Sequence, residues 1–341
     1  MPETIASLGE FGLIDRITGN FSAKHPQTLK GAGDDAAVID TGKSLTLIST
    51  DLLLEGIHFD LIYTPLRHLG YKAVVVGISD IYAMNGAPRQ ITVSIGLSAR
   101  FGVEQVDELY AGVKIACDQY EVDLVGGDTT ASMTGLTLSV TAIGEVEKDK
   151  IVYRSGAREN DLICVTGDLG SAYLGLKLLD REKRVLEGIE NPQPVFDGYE
   201  YLLQRQLKPQ AQRDVIEAMR ENSLVPTAMI DLSDGLASDL LQLCKASKMG
   251  ARVYLERIPI AKESFALAEE LHIDPVVAAL NGGDDYELLF TVPLNKQGEI
   301  AQIPGAEIIG HIVTEGKGAA LTTPDGQEIT LTAPGFGDGG R

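Results

Sequence analysis

Cysteine is scarce in this 341-residue chain: Cys117, Cys164 and Cys244 stand far apart and form no Cys-x-x-Cys pair. That excludes a disulfide framework and a thiolate zinc site, and predicts three reduced core thiols. Cations are short as well. Lysine and arginine number 29 against 49 aspartates and glutamates, a formal net charge of −20. Counterion-release binding needs a clustered cationic surface, so this balance argues against a generic nucleic-acid partner. It also repels phosphorylated metabolites unless something local reverses the sign. No run approaches the roughly 18 apolar residues of a membrane span. The opening MPETIASLGEFGLIDRI has no basic segment followed by an apolar one, so no secretory signal is read there. A cytoplasmic protein with no membrane partner is the expectation. No Ser-His-Asp set, nucleophilic cysteine motif, tandem repeat or low-complexity segment stands out.

What is present is ordinary in bulk. A hydrophobic share of 44% and a charged share of 23% fit a folded globular protein. The length allows roughly two domains of about 150 residues. Helical spacing of Leu8, Phe11, Ile14 and Ile17 predicts a helix over 3–19, and helices are read at 66–86, 103–120 and 235–248. Strands are read at 45–49, ending at Thr50-Asp51, and at 91–97, 124–125 and 136–143, the last adjoining 124–125 in an antiparallel sheet. In the second half they are read at 162–166, 228–232, 251–255 and 288–292. The charged, turn-rich segment EVEKDKIVYRSGAREND at 145–160 marks the boundary between domains at 1–148 and 149–341. A loop with Pro192, Pro194 and Pro209 is expected over 185–210. The alternation of strands and helices with antiparallel pairs favours two α+β domains over one doubly wound sheet.

Three familiar patterns are set aside. Gly42-Lys43-Ser44 ends like a P-loop, but Ala37 stands where the pattern needs glycine and a strand follows rather than precedes it, so a hairpin turn is read. Gly31 to Ala36 satisfies G-x-G-x-x-A, yet HPQTLK before it does not read as a strand, and two carboxylates would face a pyrophosphate. Gly282 to Glu287 resembles the metal-binding turn of nucleotide cyclases, from which Asp285-Tyr286 departs.

What remains is a set of aspartates in unusual places. Asp34 and Asp35 lie in a glycine-rich turn, and Asp51 follows Ser49 and Thr50. Asp80 follows Ser79 inside VVVGISDIYAM, Asp128 follows Gly126-Gly127, and Asp231 and Asp234 frame Leu232-Ser233. Singly, such residues are turn formers or helix caps. Asp80 fits that reading poorly, because a carboxylate in an apolar helix is costly unless paired or ligated. Carboxylates among hydroxyls and carbonyls are hard donors suited to Mg²⁺, which takes few carboxylates and completes its shell with phosphate oxygens. Many separated aspartates therefore point to several ions, a polyphosphate substrate and phosphoryl transfer. His58, in EGIHF, reads as structural or as a site residue, and Arg154, in YRSGAR, as a phosphate clamp or a linker ion pair.

These segments are then recognisable. GEFGLIDRI, GAGDDAAV, ISTDLLLEGIHF, YKAVVVGISDIYAMNGAP, LVGGDTT, YRSGARENDLICVTGDLG, AMIDLSDGLASDL and NGGDDYELLF resemble, in this order, the thiamine-monophosphate kinase family of the aminoimidazole ribonucleotide synthetase-like superfamily. The resemblance runs from about residue 9 to 292, with an echo at Gly335-Phe336. It implies a two-domain α+β (α/β) fold: an N-terminal ATP- and Mg²⁺-binding domain whose sheet forms a barrel-like homodimer, and a C-terminal α/β domain. It implies ATP-dependent conversion of thiamine monophosphate to thiamine diphosphate, the final step of thiamine diphosphate biosynthesis, by direct in-line transfer. The acceptor is a phosphate oxygen already ionised at neutral pH, so no strong general base and no nucleophilic residue are needed.

Carried over motif by motif, the resemblance implies Asp35, Ser49, Thr50, Asp51, Asp80, Asp128 and Asp231 as metal ligands, with Asp234 holding a further ion. Tyr110, Gly127, Asp128, Arg154 and Ser233 would contact ATP. His58, Asp284 and Phe336 would contact thiamine monophosphate, Asp284 standing where the family often has glutamate. Asp34 reads as a structural neighbour. Within the superfamily, selenophosphate synthetase would want a reactive cysteine near the N-terminus, and the hydrogenase maturation enzyme one at the C-terminus. An aminoimidazole ribonucleotide synthetase-like enzyme and a non-catalytic nucleotide and Mg²⁺ sensor are the remaining alternatives.

Overall fold

The computed structural model of the chain describes residues 5–18, 23–186 and 196–333, with side chains from residue 12 in the first helix. Phe336 and the glycine-rich tail, and Pro192 and Pro194, lie outside the described residues.

The first half comprises α1 (Ile5–Thr18), β1 (Thr28–Lys30), β2 (Ala37–Asp40), β3 (Leu45–Leu54), α2 (Leu66–Ala83), β4 (Ala87–Leu97), α3 (Val103–Tyr120), β5 (Asp123–Gly126), β6 (Thr129–Ala131) and β7 (Thr137–Val146). Its strands form one seven-stranded sheet in the order β1-β2-β3-β7-β4-β5, with β6 also beside β4. β2 and β3 make the hairpin expected around Gly42. A short strand, β1, does precede the Gly31–Ala36 turn. The turn opens into another strand rather than a helix, so it still lacks the helix N-terminus that a dinucleotide site uses.

Two other expectations change. β3 does not stop at Asp51 but runs on to Leu54. Alternation therefore sends Ser49 and Asp51 to one face and Thr50 to the other. β7 pairs antiparallel with β3 and β4, not with β5, which runs parallel to β4. The two short segments were mistaken for neighbours because they are close in sequence, whereas the crossover through α3 places β5 at the sheet edge.

α2 is buried nearly all round from Leu69 to Ala83, as its apolar composition on every face requires. It packs on β3, β4 and β7, on α3, and on β9 of the second half, whose range follows. The approach to α3 is close enough to demand glycine on both helices. A Cβ at Gly70 would collide with the Leu109 carbonyl, and one at Gly112 with the Arg67 carbonyl.

The second half comprises β8 (Leu162–Val165), α4 (Ser171–Leu186), α5 (Glu200–Leu207), α6 (Arg213–Glu221), β9 (Ala228–Leu232), α7 (Leu236–Ser247), β10 (Met249–Tyr254), α8 (Lys262–Leu271), α9 (Pro275–Asn281), β11 (Glu287–Val292), β12 (Glu307–Thr314), β13 (Ala319–Thr322) and β14 (Glu328–Thr330). The strands form a second seven-stranded sheet, β14-β13-β10-β12-β8-β11-β9, antiparallel except for β10 with β13. The expected loop at 185–210 contains α5; the prolines that suggested a loop flank this helix instead of interrupting it. The largest apolar core joins both halves: Val74, Ile78 and Val140 belong to the same buried cluster as Cys164, Ile216, Leu288 and Phe290. Among the described residues no helix is long and apolar enough to cross a membrane.

Candidate active site

α2 brings the acids together. Near its C-terminal end Ser79 and Asp80 face in different directions, each toward a carboxylate system. Ser79 Oγ donates to Asp231 Oδ2 at 2.7 Å, linking the helix to β9 of the other half. Asp80 Oδ2 accepts from Ser49 Oγ of β3. Asp35, leaving the glycine-rich turn, completes the group: Asp35, Asp80 and Asp231 each offer an oxygen, all within 4.8 Å of one another. Asp35 and Asp231 are buried, and Asp80 keeps part of its surface.

Such a group is unstable as a set of bare charges. Two unit charges 4 Å apart repel by about 4 kcal/mol at an effective dielectric of 20. The carboxyls respond accordingly. Burial raises Asp35 to about 7; the Arg154 guanidinium opposes the rise, and Asp231 and Asp34 add to it. Burial and then Asp231 raise Asp51 to about 7. Burial, followed by Asp51, Asp231 and Asp35, pushes Asp80 well above the usual carboxylate range. Burial also raises Asp231.

Arg154, inside the boundary segment, is the cation at this cluster. Its guanidinium donates to Asp35 Oδ1 at 2.8 Å, and its backbone N–H to Asp34 Oδ1 at 3.1 Å. The ion-pair alternative is therefore realised, at the acids themselves. Asp34 ties the turn to the Arg154 backbone and to Lys30, 3.6 Å away.

A cation fits this donor set. Asp35 Oδ2 and Asp51 Oδ2 are buried without a hydrogen-bond partner among the described residues, and unpaired buried carboxylate oxygens are costly. An all-oxygen site of carboxylates and a hydroxyl suits a hard divalent ion.

The remaining expected residues stand on several other segments of the fold. Thr50 does not bring its hydroxyl to it: the side chain is on the exposed face, 3.1 Å from the Thr141 hydroxyl. Asp128 is exposed, and its Oδ1 accepts from the Thr129 N–H at 2.9 Å. Gly127 has a packing reason of its own, since a Cβ there would collide with the Val93 carbonyl. Tyr110, on α3, packs half-buried against the main core. His58 follows β3 in a tight turn. Its Nδ1 accepts from the Leu54 N–H at 3.0 Å, which leaves the proton of the neutral ring on Nε2.

Asp231, Ser233 and Asp234 follow one another at the end of β9 into α7. Asp234 donates its backbone N–H to the Asp239 carboxylate at 3.1 Å. The Gly282–Glu287 turn packs onto this loop. Asp284 N–H donates to the Ser233 carbonyl at 2.8 Å, and Gly283, at φ +73°, leaves no room there for a Cβ. The Asp284 carboxylate lies 3.3 Å from Lys72 Nζ.

Two buried polar residues were missed from the sequence. Lys72 sits in the same apolar helical stretch as Asp80, so the criterion that singled out Asp80 also applies to it. Asp239 lies one turn into α7, and burial with Asp234 and Asp231 nearby raises it well above the usual range. No signal in the sequence separates it from an ordinary helical aspartate.

Comparison with known proteins agrees with the two-part fold. Residues 33–146 match the family profile described as "AIR synthase related protein, N-terminal domain", and residues 158–323 that described as its C-terminal domain. The chain is 35% identical over 292 residues to the thiamine-monophosphate kinase of Aquifex aeolicus (strain VF5), covering 86% of this chain and 88% of the relative. It is 32% identical over 337 residues to that of Bacillus subtilis (strain 168), covering 96% and 99%. A solved structure described as "AaThiL complexed with AMPPCP and TMP" superposes with a TM-score of 0.82 at 32% identity, covering 96% of this chain and 97% of the other.

Proposed function

Because this chain belongs to the thiamine-monophosphate kinase family of AIR synthase related proteins, we propose that it phosphorylates thiamine monophosphate with ATP. The products are thiamine diphosphate and ADP, completing thiamine diphosphate biosynthesis. One observation carries the reading: three carboxylates from three separate elements, Asp35, Asp80 and Asp231, converge within 4.8 Å.

In this reading Asp35, Ser49, Asp51, Asp80 and Asp231 hold Mg²⁺. Asp128 and, through its backbone, Thr50 join them as ligands, and Asp234 holds a further ion. Bound Mg²⁺ would supply positive charge between two anionic reactants. The chain's own groups orient and screen. Arg154 is already held at the carboxylates and can turn a donor toward a nucleotide phosphate, with Tyr110, Gly127 and Ser233 as further ATP contacts. His58, Asp284 and Phe336 are the proposed acceptor contacts. His58 presents Nε2–H as a donor, since Nδ1 is committed to the backbone. The attacking phosphate oxygen carries no proton to be removed, which suits direct transfer without a general base.

The division into an ATP- and Mg²⁺-binding half at 1–148 and a second half at 149–341 belongs to the same proposal, as does a homodimer formed through the first sheet. The dimer is supported by exposed apolar residues on and beside that sheet, Leu52, Leu124, Val125 and Met133. A cytoplasmic location is supported by the three separate free thiols.

The test is direct. The purified chain is incubated with ATP, Mg²⁺ and thiamine monophosphate, and the products are resolved by chromatography. Thiamine diphosphate with stoichiometric ADP is expected. Turnover of a different phosphorylated acceptor, with none of thiamine monophosphate, would sink the assignment.

A further inference from the structure

We propose that Lys72 is a positioning residue for the acceptor substrate: it fixes the Asp284 carboxylate at the junction of α2 with the Gly282–Glu287 turn. The inference rests on the thiamine-monophosphate kinase reading and on Asp284 as an acceptor contact. Lys72 is almost fully buried, with 6% of its side chain exposed. Its Nζ lies 3.3 Å from Asp284 Oδ2 and donates to the Gln206 backbone carbonyl at 3.0 Å. The other carboxylate oxygen, Asp284 Oδ1, accepts from the Tyr286 hydroxyl at 3.2 Å. The backbone is constrained as well. Asp284 and Tyr286 sit at φ +60° and +50°, and the Asp284 N–H is tied to Ser233. Left-handed conformations in non-glycine residues are costly and persist where the surroundings enforce them.

The apparatus extends to Asp285 and Glu287. Arg205 of α5, next to Gln206, donates to Glu287 at 2.8 Å and to the Asp168 carbonyl at 2.9 Å. Asp285 accepts the Gly170 N–H at 2.9 Å. The turn is thus held by α5 on one side and by α2 on the other, and Lys72 is the α2 contact.

A buried ion pair contributes little net stability over an apolar pair of similar shape. A lysine in the apolar stretch of α2 therefore calls for a reason beyond folding. The helix provides it. Ser79, bonded to Asp231, lies seven residues after Lys72, two turns along the same face and about 10 Å away. One face of α2 thus contacts a candidate metal-ligating carboxylate at one point and Asp284 at the other. An acceptor lying along that face would put its phosphate at the metal site and its permanently cationic thiazolium ring near Asp284. Lys72 sets where that negative charge stands.

The test is initial-rate kinetics on the full chain with Mg²⁺, varying thiamine monophosphate and ATP separately. Lys72→Met is expected to raise KM for thiamine monophosphate about tenfold, with KM for ATP changed less than about twofold and kcat largely kept. Lys72→Arg should recover most of the loss. On an Asp284→Asn background, Lys72→Met should add nothing further. Where Lys72→Met does not fold by circular dichroism, Lys72→Gln is read in the same way. Unchanged KM for thiamine monophosphate, equal rises in both KM values, or full additivity with Asp284→Asn overturns the inference while the kinase reading stands. A wild-type chain that makes no thiamine diphosphate overturns the reading itself, and the inference with it.

Discussion

At the scale of single residues, Asp51 and Asp128 are expected to matter in different ways. Asp51 is a partly exposed strand residue with one carboxylate oxygen buried and unpartnered, whereas Asp128 is exposed. Asp51→Asn and Asp128→Asn should each lower kcat/KM by about 10²-fold or more. Only Asp51→Asn should also raise the melting temperature of the metal-free protein, by roughly 2 °C, because it relieves like-charge repulsion. Activity assays with melting curves in EDTA check both. Near-normal activity in either variant removes that residue from the metal site.

A pH dependence follows from the same carboxyls. Asp35 and Asp51 stand near 7 in the folded chain against an ordinary value of 3.8. The folded state then holds more protons between those values, so their contribution to metal-free stability falls as pH rises from 3.8 through about 7 and levels off above it. Divalent ions need the ionised form and compete with those protons. The rise in melting temperature caused by Mg²⁺ should therefore be larger at pH 8 than at pH 6. An equal or smaller shift at pH 8 would argue against ions at these acids.

At the scale of elements, the α2–α3 contact is a point of high sensitivity away from the chemistry. Gly112→Val should force the helices apart and cost about 1–3 kcal/mol in denaturant unfolding. It should also reduce kcat, because α2 carries Ser79 and Asp80. A variant as stable and active as the parent would mean that the two helices can separate freely.

The legibility of the sequence varied at this scale for physical reasons. α3 was readable to the residue because its apolar residues recur at helical spacing along its whole length. α2 was readable as a helix, but its partners on β3, β7 and β9 are remote in sequence. Periodicity could not show that Asp35, Asp80 and Asp231 meet; their donor chemistry grouped them with Asp34, Asp51, Asp128 and Asp234 without singling out these three. Because the strand was ended at Thr50-Asp51, the alternation that separates Thr50 from Ser49 and Asp51 was not legible. α5 was hidden by the prolines around it, and with it the support behind Asp284.

At the scale of the whole molecule, the proposed homodimer predicts a sedimentation mass of twice 36.5 kDa. Val125→Glu, on the edge strand β5 where Val125 is 57% exposed, should shift it toward the single-chain value. A wild-type chain that sediments as one copy at micromolar concentration would refute the proposal. The charge of −20 is also clarified. It still argues against nucleic acid, but part of it is concentrated in carboxyls whose geometry suits cations, so the local sign can reverse where phosphate arrives.

The apolar core that runs from Val74 and Val140 to Leu288 and Phe290 bears on how such a chain can be recombined. Two sheets and two family profiles invite a cut near residue 150, as though the halves were modules. A graft there would bring in a second half whose surface was shaped to another α2, leaving mismatched side chains where close packing is required. Chimeras between relatives should work only when the second-half residues that meet α2, on β9 and α5, are kept matched to it. Calorimetry of the intact chain offers the simplest check: one cooperative melting transition is expected, and two resolved ones would mean that the halves are separable after all.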